Sequence, residues 1–301
     1  MNALNGILVI DKPLGITSHD VVARIRKVLH TKKVGHAGTL DPEASGVLVL
    51  GINRGTRLMQ YFVGDNKRYQ ATIRLGVSTV SDDAAGEVLQ ITGNSLSESE
   101  IRSALLKFVG KIMQRPSSVS AIKVNGVRAH DLVRSGVEVE LKSRPVEIFE
   151  INLLDVADNE FDGIPVTDIT VEVFCTSGTY VRALARDLGE QLNVGGSVLT
   201  LRRTQAGSFI QSQATPLSEI VDSTSVLPMG AIARKIMPTI SIPNDKAIDL
   251  IHGRQINVTF ADHYPVAALT SENQLVAVGK INDNVFQPDN VFLSLSELIN
   301  E

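Results

Sequence analysis

The chain has 301 residues, 43% of them hydrophobic and 21% charged, which predicts a packed globular protein of one large domain or of a main domain with a smaller one, and excludes disorder. Its single cysteine, Cys175, excludes an intrachain disulfide and a cysteine-based zinc site; with no long apolar run or signal-type segment, we expect a cytoplasmic protein without a membrane span. The formal net charge of −4, taken alone, argues against a nucleic-acid partner.

The N-terminal part of the chain predicts two buried strands, a helix and a polar loop. Residues 6–10 form a short apolar run that is typical of a buried strand, and Ser18 is a natural N-cap for a helix over about 19–29. Glycines and a proline among polar groups predict a loop over 31–45, and a second buried strand follows over 47–50.

The middle of the chain mixes helix and strand patterns. Thr56 is a candidate cap for a short helix over 57–62, and residues 69–75 alternate with the period of a half-buried strand. The later predicted elements are a helix opened by a capping box at Ser97 and Glu100, a hairpin turn at Asn125-Gly126, strands over 146–156 and 166–174, a helix over about 180–188 capped by Thr179, and a strand over 198–201.

The C-terminal part continues the mixed pattern. Residues 215–238 are predicted to be helical or mixed, and the short apolar runs of residues 240–301 predict a small β-rich appendage. Strands are often joined by short turns rather than by regular strand–helix–strand units, so the sequence predicts an α+β fold.

The segment from Gly35 to Leu50 is the richest in chemical groups. His36, Asp41 and Glu43 lie close together in the predicted loop, and Pro42 holds Asp41 out of the helical conformation. A carboxylate fixed on a rigid loop can be a nucleophile, a general base or a metal ligand.

Several readings of this loop stay open from the residues alone. Asp41 can be an ordinary turn residue before a proline. His36, Asp41 and Glu43 could ligate a metal, although no His-x-x-x-His pattern or carboxylate triad accompanies them, and the two acids could form the pair of a hydrolase. No Gly-x-Ser-x-Gly, Walker or Gly-x-Gly-x-x-Gly pattern supports a serine hydrolase or a bound nucleotide cofactor.

Two further segments carry groups that suit RNA. Tyr180 and Arg182 stand where a strand hands over to a helix N-terminus, a favoured place for anions, although the neighbouring apolar residues read as helix core. Tyr69 follows Lys67 and Arg68, and an aromatic beside cations suits base stacking and phosphate contact, with a surface strand end as the plain alternative.

Charge is unevenly distributed along the chain. Residues 1–75 have a net charge of +6 and residues 76–301 a net charge of −10. Within the latter, residues 100–144 hold nine basic and four acidic side chains, whereas residues 145–172 hold eight acidic and no basic ones. Such asymmetry can mark an anion-binding face, and it can also be the ordinary fluctuation of surface charge.

A set of motifs occurs in an order that resembles one known family. The most specific is Gly-His-Ala-Gly-Thr-Leu-Asp-Pro at 35–42. The others lie at 6–13, 17–20, 67–69, 74–76, 81–86, 116 with 120–123, 144–145, 177–182 and 201–204. Over about 6–210 the chain resembles the bacterial tRNA pseudouridine-55 synthases of the TruB family.

The resemblance implies a fold and a domain organisation. It implies a catalytic domain over 1–235, with a mixed, largely antiparallel sheet core, flanking helices and an RNA-gripping insertion at about 113–145. It implies a small PUA-like RNA-binding domain over 236–301, where the match is loose. The basic stretch 100–144 suits the insertion.

The resemblance also implies an activity. Such enzymes break the glycosidic bond of uridine 55 in the tRNA T loop, rotate the base and rejoin it through C5, with no guide RNA and no metal or other cofactor. We expect a cytoplasmic monomer without a membrane contact. The implied catalytic residue is Asp41, which attacks the base or the sugar, and the implied substrate-binding residues are Arg182 beside the aspartate, Tyr69 on the target base, Tyr180 in the same pocket, His36 in the place that the base vacates, and Lys12 and Leu201 near the pocket.

Two positions depart from the family pattern. Val119 and His130 stand where a tyrosine is frequent, which concerns the contacts with the T loop and not the chemistry. A non-catalytic RNA-binding protein on the same scaffold and a guide-dependent synthase are the alternatives. Asp41 together with Tyr69 and Arg182 favours the enzyme, and no long basic extension of the guide-dependent kind is seen.

Overall fold

The structure is a computed structural model that describes residues 4–119, 123–124, 127–128 and 141–299. The chain forms two compact units. The first unit comprises Met1–Leu40, Val47–Gly64 and Ser208–Glu301, and the second comprises Asp41–Gly46 and Asp65–Gly207.

The strands and helices of the first unit belong to an N-terminal part and a C-terminal part. Its strands are β1 Gly6–Lys12, β2 Val34–His36, β3 Ala44–Ile52 (whose first three residues belong to the second unit), β13 Phe209–Ile210, β14 Thr215–Pro216, β15 Leu227–Pro228, β16 Thr239–Ser241, β17 Ile256–Asn257, β18 His263–Leu269, β19 Leu275–Asn282 and β20 Val285–Val291. Its α-helices are Ser18–Val28, Gly55–Leu58, Met229–Ile236, Asn244–Ile251 and Leu295–Ile299, and its 3-10 helices are Met59–Tyr61, Gln211–Gln213 and Leu217–Glu219.

Two sheets organise the first unit. Strand β1 lies between β3 and β14 and is parallel to β14. The C-terminal strands form a five-stranded sheet in the order β16-β18-β19-β20-β17, covered by the helix Asn244–Ile251, whose Ala247 and Leu250 are buried. The tail expected to be β-rich therefore contains a sheet and also helices.

The second unit is built on a large sheet. Among the described residues, its strands are β4 Lys67–Leu75, β5 Val77–Thr79, β6 Val88–Ile91, β7 Gly110–Gln114, β8 Lys123–Val124, β9 Val127–Arg128, β10 Arg144–Phe161, β11 Ile164–Cys175 and β12 Gly196–Ala206, and its helices are Glu98–Leu106 and Val181–Gln191. The order β12-β4-β11-β10-β7 is antiparallel throughout, and residues 44–46 of β3 add to β12 in parallel. The predicted α+β class with a mixed, largely antiparallel sheet is confirmed.

Three predicted helix starts are wrong by one or two residues. Thr17, not Ser18, caps the first helix, because its hydroxyl accepts from the Asp20 N–H (3.0 Å) and the Asp20 carboxylate accepts from the Thr17 N–H (2.8 Å). Thr56 lies inside the short helix that starts at Gly55. Thr179 donates to the Thr176 carbonyl, so the next residue is the N-cap.

The remaining differences concern lengths and short strands. The segment 31–45, expected to be a loop, contains β2 and the first residues of β3. The capping box of Ser97 and Glu100 is confirmed. The hairpin signal at 125–126 is flanked by β8 and β9, which pair antiparallel, while residues 125–126 themselves lie outside the described residues. Among the described residues, no helix is long and apolar enough to cross a membrane.

The helix Val181–Gln191 packs very closely on the start of β12. Its buried face contains Val181, Leu184 and Leu188, as its apolar spacing predicts. Gly189 brings the backbones together, because a Cβ added there would lie 2.1 Å from the carbonyl carbon of Gly195. The absence of a side chain at this helix position is therefore required by packing and not by the turn that follows.

Gly189→Ala is expected to lower the free energy of unfolding by about 1–3 kcal/mol, because the new methyl group overpacks the contact with backbone atoms that cannot move aside. Urea unfolding of the two proteins measures the difference. Gly64→Ala is the matched control, since nothing lies within 4 Å of its added Cβ, and it is expected to change stability by less than about 0.5 kcal/mol. Equal effects of the two substitutions would contradict the packing argument.

Candidate active site

Asp41 lies on a turn that leads directly into β3. The carbonyl of Asp41 accepts from the Ala44 N–H (3.1 Å), and residues 44–46 pair with 201–203 of β12. Gly46, at φ +103°, makes this approach possible: a Cβ there would lie 2.2 Å from the carbonyl oxygen of Arg203. The loop that carries the carboxylate is therefore fixed to β12 by backbone contact.

Arg182 connects this carboxylate to a second one. Its Nη2 lies 2.7 Å from Oδ2 of Asp41, and its Nη1 lies 3.1 Å from Oδ2 of Asp83. The arginine side chain is only 7% exposed and that of Asp83 10%, whereas that of Asp41 is 44% exposed. The buried guanidinium thus joins a buried carboxylate to one that solvent or a substrate can reach.

Asp83 is held in place by its own loop. Its Oδ1 accepts from the Ser81 hydroxyl (2.6 Å) and from the Ala85 N–H (3.2 Å). The Thr79 hydroxyl donates to the Asp83 carbonyl (2.7 Å), and the Ala84 N–H donates to the carbonyl of Val198 on β12 (2.9 Å). The carboxylate facing Arg182 is therefore fixed by local hydrogen bonds.

Tyr69 lies on β4 opposite Arg203 of β12. Burial raises the pKa of the Tyr69 phenol, the positive charge of Arg203 and a hydrogen bond from it lower that pKa, and the negative charge of Asp41 raises it. Arg203 is 1% exposed. The tyrosine is half-buried, and the charges of Arg203 and Asp41 act on its hydroxyl in opposite directions.

Tyr180 and Leu201 complete the arrangement. Burial raises the pKa of the Tyr180 phenol, and the charges of Arg144, Asp41 and Arg182 also act on it. Leu201 pairs with Ala71 of β4 and with Ala44. A cleft in this unit is lined by Asp41, Glu43, Asp83, Arg182, Val198, Leu201 and neighbouring alanines. The structure therefore brings Asp41, Arg182, Tyr69, Tyr180 and Leu201 together.

Lys12 and His36 belong to the other compact unit. Lys12 is fully buried at the end of β1, and its ammonium group donates to the carbonyls of Pro13 (2.8 Å) and Ile16 (2.7 Å). His36 ends β2, and its ring meets the ring of His19 edge-on with centroids 5.4 Å apart. The Ser18 hydroxyl donates to the carbonyl of Leu40 and accepts from its N–H, and Leu40 is the residue that precedes Asp41. Their suggested roles stay predictions.

The two cations before Tyr69, suggested by the sequence for phosphate contact, are engaged in other contacts. Lys67 is buried and donates to the Asp65 carbonyl. Arg68 lies on the opposite face of β4 from Tyr69, where it pairs with Glu172 (2.6 Å) and Glu150 (3.2 Å). Among the described residues, no group of three His, Cys, Asp or Glu side chains could hold a metal ion.

Sequence reasoning missed three contributors to this site. Asp83 was part of a recognised motif without an assigned role, and its only signal was the acidic pair at 82–83. Arg203 was likewise part of a recognised motif, 201–204, without an assigned role, whereas Gln114 carries no local signal. Each acts through a contact with a distant part of the sequence. Residues 120–122 and His130 lie outside the described residues.

Two family models match the chain. One is described as "TruB family pseudouridylate synthase (N terminal domain)" and matches residues 26–181, and the other as "tRNA pseudouridylate synthase B C-terminal domain" and matches residues 182–239. The protein named tRNA pseudouridine synthase B of Arthrobacter sp. (strain FB24) is 48% identical over 97% of this chain and 92% of its own. That of Paenarthrobacter aurescens (strain TC1) is 46% identical over 91% of each chain.

Solved structures show the same fold. A chain of a Cbf5-Nop10-Gar1 complex superimposes with a TM-score of 0.71 and 26% identity, covering 97% of this chain and 86% of its own. A chain of an H/ACA RNP bound to a substrate RNA containing 2'-deoxyuridine gives a TM-score of 0.72 over 96% of this chain and 85% of its own. At 24% identity, the latter is a likeness of fold alone.

The buried ammonium group beside this site predicts an unusual dependence of stability on pH. Burial lowers the pKa of Lys67 to about 8, and the positive charge of Arg203 adds to the effect. Between pH 8 and 10.5 the unfolded chain therefore binds this proton more than the folded protein does, so the Lys67 contribution to the free energy of unfolding rises with pH, on the order of 2–3 kcal/mol.

Urea unfolding of wild type and Lys67→Met at pH 7, 8.5 and 10 measures this effect. We expect the wild type to gain stability relative to Lys67→Met across that range. Lys27→Met, which removes an exposed lysine, is the control and should track the wild type. Parallel pH profiles for wild type and Lys67→Met would show that the ammonium group is not destabilised in the folded state.

Proposed function

Because the chain belongs to the TruB family of pseudouridylate synthases, we propose that it converts uridine to pseudouridine at position 55 in the T loop of tRNA, on its own and without a guide RNA. The observation that carries this proposal is the pairing of the accessible Asp41 with the buried Arg182, in a cleft with Leu201. The negative charge of Asp41 acts on the phenols of Tyr69 and Tyr180. Relatives named tRNA pseudouridine synthase B support tRNA as the substrate.

In the proposed reaction the Asp41 carboxylate is the nucleophile, on the base or on the sugar. Either attack needs an ionised carboxylate next to the glycosidic bond, and Nη2 of Arg182 lies 2.7 Å from Oδ2 of this carboxylate. The bond from N1 to the sugar breaks, the base rotates, and a bond from C5 to the same sugar carbon forms. C5 gives up its proton, N1 takes up a proton, and the bond to Asp41 breaks, which restores the carboxylate. The atoms balance as an isomerisation.

Tyr69 suits the two tasks that the base itself requires. Its half-buried ring can stack on the uracil, and its hydroxyl, tuned by Arg203, can take part in removing the C5 proton. We assign Tyr180 and Leu201 to the walls of the same pocket. Stacking recovers part of the free energy that is lost when the target base leaves the stack of the T loop.

The remaining assignments complete the proposal. His36 would enter the space that the flipped base leaves, and Lys12 would lie near the pocket. We propose that residues 1–235 form the catalytic domain, that the stretch 113–145 grips RNA, and that residues 236–301 form a PUA-like RNA-binding domain. The protein would act as a monomer in the cytoplasm.

Asp41→Asn is expected to retain tRNA binding and to lose turnover by orders of magnitude, because an amide is similar in shape but is not a nucleophile at neutral pH. Release of tritium from C5 of labelled uridine in a T-arm hairpin measures turnover, and a filter-binding titration measures affinity. Asp158→Asn, an exposed acid on β10, is the matched control. Substantial release by Asp41→Asn would contradict its assignment as nucleophile.

The wild-type protein alone is expected to release tritium from a T-arm hairpin and none from labelled uridines elsewhere in a hairpin whose target U is changed to C. Affinity for both hairpins should fall as salt rises, because each phosphate contact releases counterions on binding. Release only after addition of a second RNA would favour a guide-dependent synthase. Tight binding without any release would favour the non-catalytic RNA-binding protein.

A further inference from the structure

The helix that carries Arg182 is capped from a distant part of the sequence. Its N-cap residue, Tyr180, makes no side-chain capping hydrogen bond, and Ala183, at the third helical position, cannot supply the acceptor of a capping box. Instead, the Tyr180 N–H donates to Oε1 of Gln114 (2.8 Å), and Nε2 of Gln114 donates to the Tyr180 carbonyl (3.1 Å). One carboxamide therefore holds both backbone polar groups of Tyr180.

Gln114 is placed to do this with little freedom. It is the last residue of β7, opposite Arg144 of β10, and only 2% of it is exposed. A buried amide group with both its donor and its acceptor engaged fixes its partner in position and direction. The last residue of β7 thus fixes the N-cap residue of the helix by two hydrogen bonds.

The residues after Gln114 continue along the same helix. The carbonyl of Arg115 accepts from Nη2 of Arg186 (2.7 Å), and the carbonyl of Val119 accepts from Nη2 of Arg182 (3.0 Å). The segment 114–119 therefore contacts the helix at its N-cap and at two arginines one turn apart. The segment that begins at the end of β7 therefore fixes the position of this side of the helix.

We propose that Gln114 is a positioning residue of the active site: its side-chain amide fixes Tyr180 and, through the first turn of the helix, the Arg182 guanidinium that holds Asp41. The proposal rests on the proposed function. A carboxamide fits because the position needs one donor and one acceptor at once. A methionine offers neither, and a carboxylate turns an acceptor toward the Tyr180 carbonyl.

Two variants test the role of the amide in opposite ways. Gln114→Met keeps the volume and removes both hydrogen bonds, and it is expected to lower the single-turnover rate constant by about 100-fold at saturating T-arm RNA, as a displacement of catalytic groups on the order of 1 Å does. The dissociation constant for the RNA is expected to change less than about twofold. Gln90→Met, at an exposed position of β6, is the control and should match the wild type.

Gln114→Glu adds a pH signature that loss of stability alone does not produce. A protonated carboxyl has one donor and one acceptor and can replace the amide, whereas a carboxylate cannot donate to the Tyr180 carbonyl. The rate of this variant relative to wild type is therefore expected to rise as pH falls from 8.5 to 6, by up to about tenfold per pH unit while the new carboxyl gains its proton. The relative rate of Gln114→Met should stay flat.

The outcomes separate this inference from the proposed function. If wild type releases tritium and both variants, normalised to folded protein by their thermal unfolding, match it at every pH, the positioning role is overturned. If Gln114→Met does not fold, the pH profile of Gln114→Glu decides: a rise toward low pH supports the role, and a flat ratio refutes it. A wild type that releases no tritium overturns the proposed function instead.

Discussion

The site depends on the burial of one charge, that of the Arg182 guanidinium. A buried arginine is stable only when charged and polar partners replace the water that it has lost. Here the carboxylates of Asp41 and Asp83 and the carbonyls of Ser81 and Val119 do so. Removing one partner of a buried ion pair lowers the free energy of unfolding by about 3–5 kcal/mol. The contacts of Arg182 therefore stabilise the second unit, and the same contacts hold the carboxylate that the proposed chemistry uses. Asp83 is buried and fixed by its own loop, so in the proposed reaction it would still pair with the guanidinium when Asp41, the exposed partner, engages the substrate.

The strand β4 separates two electrostatic environments. On the face formed by its even-numbered residues, Arg68 and Arg74 pair with Glu150, Glu172 and Asp168 of β10 and β11. Its odd-numbered residues turn Tyr69 to the opposite face. Part of the acidic run 145–172 is therefore neutralised by arginines of the basic N-terminal portion. The net charge of the whole chain says little about an RNA-binding surface, because it also counts charges that neutralise each other in ion pairs within the sheet.

Sequence patterns predicted the secondary structure well wherever the buried residues of an element follow a simple local pattern of apolar residues. The strand around 47–50 follows from a continuous apolar run, the strands around 69–75 and 166–174 from alternation, and the apolar face of the helix Val181–Gln191 from helical spacing. Helix starts were missed by one or two residues because neighbouring hydroxyls compete: Thr17 caps its helix, while Ser18 is drawn to the backbone of Leu40. Asp41, Arg182 and Tyr69 were recognisable from their motifs. Asp83, Arg203 and Gln114 were not assigned, because their roles arise only from contacts across the sheet or with a distant helix.

The charges around Tyr69 connect the two ends of the proposed reaction. In the resting site, burial and the negative charge of Asp41 both raise the pKa of the phenol, and the charge of Arg203 opposes them. If the Asp41 carboxylate attacks the base, it is still bonded to the ring and uncharged when the C5 proton leaves, whereas Arg203 keeps its charge. On this route the balance at the phenol moves toward the ionised form at that stage. If Asp41 attacks the sugar, the bond from C5 to the sugar carbon displaces the carboxylate, and its charge returns before C5 loses its proton. Only for attack on the base would Asp41 therefore favour ionisation of Tyr69 as well as supply the nucleophile, and the timing would follow from charge alone, with no movement of the sheet that holds Tyr69 opposite Arg203.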